Sequence, residues 1–260
     1  MIELKFDLEK AQKEFIKYTE KYDLKNQNIK GKQLHSLRVM EISKRIAEML
    51  NLNKEEIQIA TLIGLLHDIG RFEQYVKFQN YGVIKEFDHG DYAVQILKND
   101  IRKYIEDERY DSIILKAIKN HNKYKIEDGL NEQEEFFAKL IRDADKIDIL
   151  FECENIFWKG KESDIENSIL SDEIYNKFKK KELIKVEKNR KYNNIDDLLI
   201  TFAYAFDINY NVSYKIIKDN NYINNTIKRF NFKYQETNEK IDELIKILNK
   251  YIENMEKDWK

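Results

Sequence analysis

No proline occurs in this 260-residue chain, and cysteine appears once, histidine four times and glycine seven times. Beside the many Lys, Asn and Ile residues, the missing proline points to AT-rich coding DNA and says nothing about function. A single cysteine, Cys153, excludes an internal disulfide and fits a reducing compartment. No activating neighbour is visible in the sequence, so Cys153 reads as a small apolar residue on a helix and not as a nucleophile. Long hydrophobic runs are lacking too. The longest weakly polar run, residues 59–66, has eight residues, against the about 20 needed to cross a bilayer. The opening MIELKFDLEKAQKEF carries a charge at every second or third position and no apolar core, so no signal peptide is expected. These absences predict a cytoplasmic protein with no membrane partner. Neither sign of charge dominates: Lys and Arg number 46, Asp and Glu 48, for a net charge of −2. That balance argues against a dedicated nucleic-acid surface and leaves room for a local basic pocket.

The remaining composition is that of a helical protein with a core. Hydrophobic residues make up 42% and charged residues 36%, and strict strand-type alternation is nearly absent. Helical periodicity predicts helices over residues 8–22, 33–50, 54–69, 91–102, 110–122, 132–157, 171–181, 195–206 and 237–257. Asn53 is placed to cap the third, with Glu56 three residues on as its capping-box partner. Asp88 is placed to cap the fourth, with Asp91 in the corresponding position. The fold class expected is all-α. We expect residues 1–157 to form a core domain carrying the chemistry and residues 158–260 a helical extension packed on it.

All four histidines, His35, His67, His89 and His121, lie in the first half, and each continues an inward-facing stripe or ends a helical segment. His35 shares a face with Val39, Ile42 and Ile46; His67 follows Ile63 and Ala60; His121 follows Ala117 and Ile114. Asp145 follows Ile141 and Ala138 in the same way. Asp143 instead follows Lys139, and Asp148 lies between Ala144 and Glu152, so Asp145 is the expected acid of this helix. A lone buried histidine is ordinarily satisfied by a backbone carbonyl, but several converging on two carboxylates are most economically satisfied by a shared cation. His67 and Asp68 are adjacent, so both reach a cavity at one helix end. Gly64, one turn earlier, lets a neighbouring helix or a ligand approach closely. The pattern H…HD…H…H…D reads as a histidine and carboxylate metal cage.

Those residues, in Gln-Leu-His35-Ser-Leu-Arg-Val, Leu-Leu-His67-Asp68-Ile-Gly-Arg and Arg-Asp-Ala-Asp145-Lys-Ile-Asp, resemble the HD-domain metal-dependent phosphohydrolases. His89 in Phe-Asp-His-Gly-Asp and His121 in Lys-Asn-His-Asn look like the extra ligands of that family's binuclear branch. The resemblance covers roughly residues 30 to 155 and implies an HD-type helical bundle. It implies that His35, His67, Asp68 and Asp145 hold one metal and that Asp68 bridges to a second held by His89 and His121. The expected cofactor is therefore one or two divalent metal ions. An all-nitrogen and oxygen donor set favours Mn, Fe, Co, Ni or Zn over Mg alone. The expected reaction is hydrolysis of a small phosphate ester by metal-activated water, with Asp68 at its centre and a phosphorylated small molecule, a nucleotide in the first instance, as partner. The family's cyclic-dinucleotide branch usually carries a Gly-Tyr-Pro signature downstream, which a chain without proline lacks.

Arg71, three residues past Asp68, has two readings: a planar fork for a substrate phosphate, or an ion-pair partner of Asp68. Lys146, next to Asp145, reads as a solvated or ion-paired lysine, with reach into the pocket as the alternative. Residues 177–191 form the one strongly basic stretch and read as a solvated face, with an anion-attracting rim as the alternative. Phe202, Phe206, Tyr210 and Tyr214 recur at four-residue intervals and read as core, not as a base-stacking platform. Six metal-type positions separate a metal protein from a helical scaffold. They do not separate an enzyme from a catalytically silent module that binds a nucleotide or a partner.

Overall fold

Helices begin where a polar cap meets the periodic apolar pattern. A computed structural model describes residues 6–82, 84, 86–187 and 190–257. Its helices are α1 (Leu8–Thr19), α2 (Gln27–Met49), α3 (Lys54–Leu66), α4 (Ile69–Phe78), α5 (His89–Asp100), α6 (Asp111–Asn120) and α7 (Glu132–Asn155). They continue as α8 (Glu162–Glu166), α9 (Asp172–Phe178), α10 (Asn194–Phe202), α11 (Asn211–Asn220), α12 (Tyr222–Ile227) and α13 (Gln235–Lys257). The fold is all-α, and among the described residues the sole β-type pairing is an isolated bridge from Ile84 to Phe87. The chain divides into two compact units, one ending at Asp145 and the other beginning at Lys146, so the boundary falls within α7.

In the first unit the eight-residue apolar run becomes the buried helix α3, with every residue from 59 to 66 out of solvent. Each leucine or isoleucine so buried contributes about 1.5–3 kcal/mol. Asn53 starts this helix with the complete capping box expected, its side chain on the Glu56 N–H and the Glu56 carboxylate on its own N–H. Gly64 fixes how near α2 comes. A Cβ there would stand 2.6 Å from Ser43 Oγ and 2.8 Å from the Val39 carbonyl, so the two helices touch backbone to side chain. Gly70 does the same between α4 and α5, where a Cβ would stand 2.3 Å from the His89 carbonyl. Phe15 of α1 packs edge-on against Phe72 of α4, with ring centroids 6.1 Å apart.

Two departures from the expected boundaries matter. The helix predicted over 54–69 stops at Leu66 and a new one starts at Ile69, leaving His67 and Asp68 at the break. Helix α2 starts at Gln27, not at residue 33, because Asn26 caps it. Helices α4, α8, α11 and α12 were not anticipated. Ten residues or fewer give under three turns over which an apolar period can show.

The second unit packs rings and aliphatic chains. Phe178, Phe202 and Tyr214 are fully buried, with Ile174, Leu198 and Leu244. Phe178 meets Phe206 at 5.0 Å, and Phe206 meets Tyr251 at 5.0 Å. Of the four aromatics at four-residue spacing, Phe202, Phe206 and Tyr214 are core, while Tyr210 is only half-buried at the start of α11. Cys153 is buried, accepts the Trp158 indole N–H at 3.0 Å, and burial pushes its thiol up to about 12. No helix of the described residues is long and apolar enough to cross a membrane.

Candidate metal centre

Each candidate side chain is delivered by a helix middle or a helix end. His35 sits within α2. His67 closes α3, where its Nδ1–H donates to the Gly64 carbonyl three residues back, at 2.8 Å. His121 closes α6 by the same device, its Nδ1–H on the Ile118 carbonyl at 2.6 Å. Arg142 of α7 steadies that end, donating to the carbonyls of Asn120, at 3.2 Å, and of Lys123. His89 is the first residue of α5, whose start Asp88 caps as expected by accepting from the Gly90 and Asp91 N–H groups. Asp91 itself pairs with Lys123 at 2.9 Å.

These local devices bring six side chains to one place. His35 Nε2 lies 3.2 Å from His67 Nε2 and 3.2 Å from Asp145 Oδ1. His67 Nε2 is 3.7 Å from Asp145 Oδ1. On the other side, His89 Nε2 lies 3.1 Å from His121 Nε2. Asp68 stands between the two pairs. Its Oδ2 is 3.4 Å from His35 Nε2 and 3.7 Å from His67 Nε2. Its Oδ1 is 3.4 Å from His121 Nε2 and 3.5 Å from His89 Nε2. Donors about 2.1 Å from one ion lie about 3 Å apart at right angles and somewhat more at tetrahedral angles. The observed separations are of that size. His35, His67 and Asp145 form one candidate cation triad, and His67, Asp68 and His121 another.

Proton placement supports the same reading. A carbonyl only accepts, so Nδ1 carries the proton in His67 and His121, and Nε2 of the neutral ring presents a lone pair. For His67, burial holds the imidazole below its usual value even against Asp68, which favours the neutral ring. Burial would by itself raise the Asp68 and Asp145 carboxyls. Lys32, His67 and Arg71 hold Asp68 well below the usual range, and the His35 and His67 imidazoles beside Asp145 do the same for it. Burial and then Arg71 push His89 well below its ordinary value. Carboxylates therefore face imidazole nitrogens, and Asp68 Oδ1, though buried, accepts no hydrogen bond. The nitrogen and oxygen donors present, at these separations, fit a divalent ion.

Arg71 does pair with Asp68, Nε to Oδ1, at 3.5 Å. Its Nη1 is held by the Tyr81 carbonyl at 2.7 Å and by Gln74 Oε1 at 3.0 Å. Sequence reasoning missed Lys32, whose Nζ stands 3.1 Å from Asp68 Oδ2. Its position one turn before His35 was the signal available. It also missed Asn122, whose amide N–H groups reach Asp88 Oδ1 at 3.0 Å and His89 Nδ1 at 3.3 Å. Asp143 and Asp148, set aside by helix face, are both fully buried, whereas Asp145 is half-buried. The face argument was wrong about exposure, because α7 is buried nearly all round; Asp145 is marked out by pairing with both His35, at 3.2 Å, and His67, at 3.7 Å. Lys146 is ion-paired, to Asp207 at 2.6 Å. In the basic stretch, Lys177 and Arg190 are paired with Glu173 and Lys179 with Glu243; Lys188 and Asn189 lie outside the described residues.

Residues 34–150 match the family described as the HD domain. Comparison with curated proteins and with solved structures found no significant match.

Proposed function

Because residues 34–150 are an HD domain, the fold of the metal-dependent phosphohydrolase superfamily, we propose that this chain hydrolyses a small phosphate ester, with a nucleotide as the expected class. The observation that carries the reading is the position of Asp68. One of its oxygens faces His35 and His67, the other faces His89 and His121, and the second accepts no hydrogen bond. A carboxylate so placed would offer one oxygen to each of two cations.

In this reading His35, His67, Asp68 and Asp145 hold one divalent ion, and His89 and His121 share Asp68 with a second. What the ions supply when bound is Lewis acidity, which activates water and offsets charge on the phosphoryl oxygens. The chain's own residues do the rest. The Gly64 and Ile118 carbonyls fix two imidazoles in the ligating tautomer. Arg71, tethered through Nη1, presents a cation beside Asp68 for the ester's phosphate.

Metal analysis of the purified protein, followed by a screen of phosphomonoesters, nucleotides and phosphodiesters with added Mn, tests this. Metal at one or two equivalents with turnover of at least one ester class is expected. Bound metal without turnover of any ester would leave a metal-dependent binding module, and protein that takes up no metal would refute the reading.

A further inference from the structure

We propose that Lys32 is the second arm, with Arg71, of a clamp for a phosphoryl oxyanion, and that it competes with divalent metal for Asp68. The inference rests on the metal-centre reading above and adds to it an unassigned residue and the chemistry of its ligand.

Asp68 is faced by two side-chain cations, one on each oxygen: Lys32 Nζ at 3.1 Å from Oδ2 and Arg71 Nε at 3.5 Å from Oδ1. Asp68 is 3% exposed in its side chain, whereas Lys32 and Arg71 are each 18% exposed. The two cations, with Asp145 at the same 18%, are thus the more exposed groups of the site and Asp68 lies beneath them. A single carboxylate, Asp68, balances one of the two cations.

Tyr81 holds the pair in register. Its ring lies 5.5 Å from Lys32 Nζ and 5.9 Å from the Arg71 guanidinium carbon. Its hydroxyl donates to the Asn28 carbonyl in the first turn of α2 at 3.1 Å, and its own carbonyl accepts from Arg71. One residue therefore ties the two cationic arms to separate helices and to each other. Arg71 Nε is buried and makes no hydrogen bond, so a donor remains unspent beside the carboxylate. A planar guanidinium with a free donor and a mobile point charge on a four-carbon stem suit the oxygens of a phosphoryl group.

Competition follows from the shared oxygen. Asp68 Oδ2 also faces His35 and His67, so an ion bound there and the Lys32 ammonium contest the same lone pairs. Like charges at that range repel, and the flexible arm is the one that moves, toward whatever anion the metal centre has bound.

The test is Lys32→Met, which keeps the stem and removes the charge, with Lys32→Arg as the charge-retaining control. Calorimetry would measure inorganic phosphate binding to the Mn-loaded protein and, separately, Mn binding in the absence of phosphate. Lys32→Met is expected to weaken phosphate about tenfold or more, the worth of one charge-assisted hydrogen bond, while Mn binds as tightly as before or more tightly. Lys32→Arg is expected to retain most of the phosphate affinity. Unchanged phosphate affinity in a folded, Mn-loaded Lys32→Met protein would overturn the assignment, and so would loss of Mn binding, which would make Lys32 a support for Asp68. A wild-type protein that binds no Mn would instead remove the metal-centre reading itself.

Discussion

All four histidines of this chain are buried in one of its two units. The unit that ends at Asp145 places His35, His67, Asp68, His89 and His121 out of solvent. The unit that begins at Lys146 stacks Phe178, Phe206, Tyr251 and Tyr214, and ties its buried Lys146 to Asp207 at 2.6 Å. Both units leave isolated hydroxyls such as Ser43 and Ser213 without a hydrogen bond, a modest cost. The first alone, among the described residues, leaves a buried carboxylate oxygen in that condition. An ionised oxygen is far more expensive to strand than a hydroxyl. Burial of polar residues therefore does not mark a site; a buried carboxylate oxygen that accepts no hydrogen bond, even with Arg71 3.5 Å away, does.

The largest expected effect that would sharpen this contrast is at Asp68. Asp68→Ala should take hydrolysis to background and strip bound metal, read by ester turnover and by metal content per chain. Retention of both would show that the clusters do not depend on the carboxylate between them. Next in size is a cavity in the other unit. Phe178→Ala should cost ~3–5 kcal/mol in denaturant unfolding yet leave metal content per folded chain unchanged. A metal content that fell with it would erase the distinction drawn between the units.

Metal itself should stabilise the folded protein, by about 2.7 kcal/mol once free ion exceeds its dissociation constant a hundredfold. Mn titration should show two affinities, with His121→Ala removing the weaker; one affinity at saturation with full activity would leave a single-ion site. Asp143→Ala should lower thermal stability, since that carboxylate is fully buried, but spare metal binding; loss of metal equal to that of Asp145→Ala would move the acidic ligand by half a turn.

The pH response has a defined sign. In chelator-treated protein, His67 and His89 have folded values below the unfolded one, so the unfolded chain takes up protons that the native state refuses. Their contribution is fully present above about pH 6.5 and is lost as pH falls. Asp68 and Asp145, also lowered, hold theirs above about pH 4 and lose it below. Unfolding midpoints measured from pH 8 to 4 should therefore fall in the same direction throughout, beginning near neutrality; a flat profile down to pH 5 would contradict the histidine assignment. The smallest effect is expected in the second unit, where a thiol near 12 should react with a disulfide reagent at pH 8 only on unfolding.

Much of the first unit was legible because its signals are local. An apolar run of eight residues announced α3, and Asn53 with Glu56 announced its start. Histidines on apolar stripes announced inward-facing ligands, and the aromatic set of the second unit was recognisable as core at Phe202, Phe206 and Tyr214. The helix end near His67 and Asp68 was expected, but the new start at Ile69 was not legible. Nothing in the periodicity marks it, since Ile69 continues the apolar pattern, and the imidazole's bond to the Gly64 carbonyl is a choice made only once the ring is buried. Lys32 was passed over because a lysine on a helix is ordinarily solvated.

The sequence by itself determined the helical class, the caps, the apolar faces and the identity of the six candidate ligands, all consequences of spacing along one chain. Tertiary structure decided which atoms meet. That Asp68 turns one oxygen to each histidine pair depends on how closely α2 approaches α3 at Gly64 and α4 approaches α5 at Gly70. That Lys32 reaches Asp68, 36 residues away in sequence, depends on the same packing. Helix periodicity fixes a direction relative to one axis; a coordination site is set by distances between several, and those are fixed only when the helices pack.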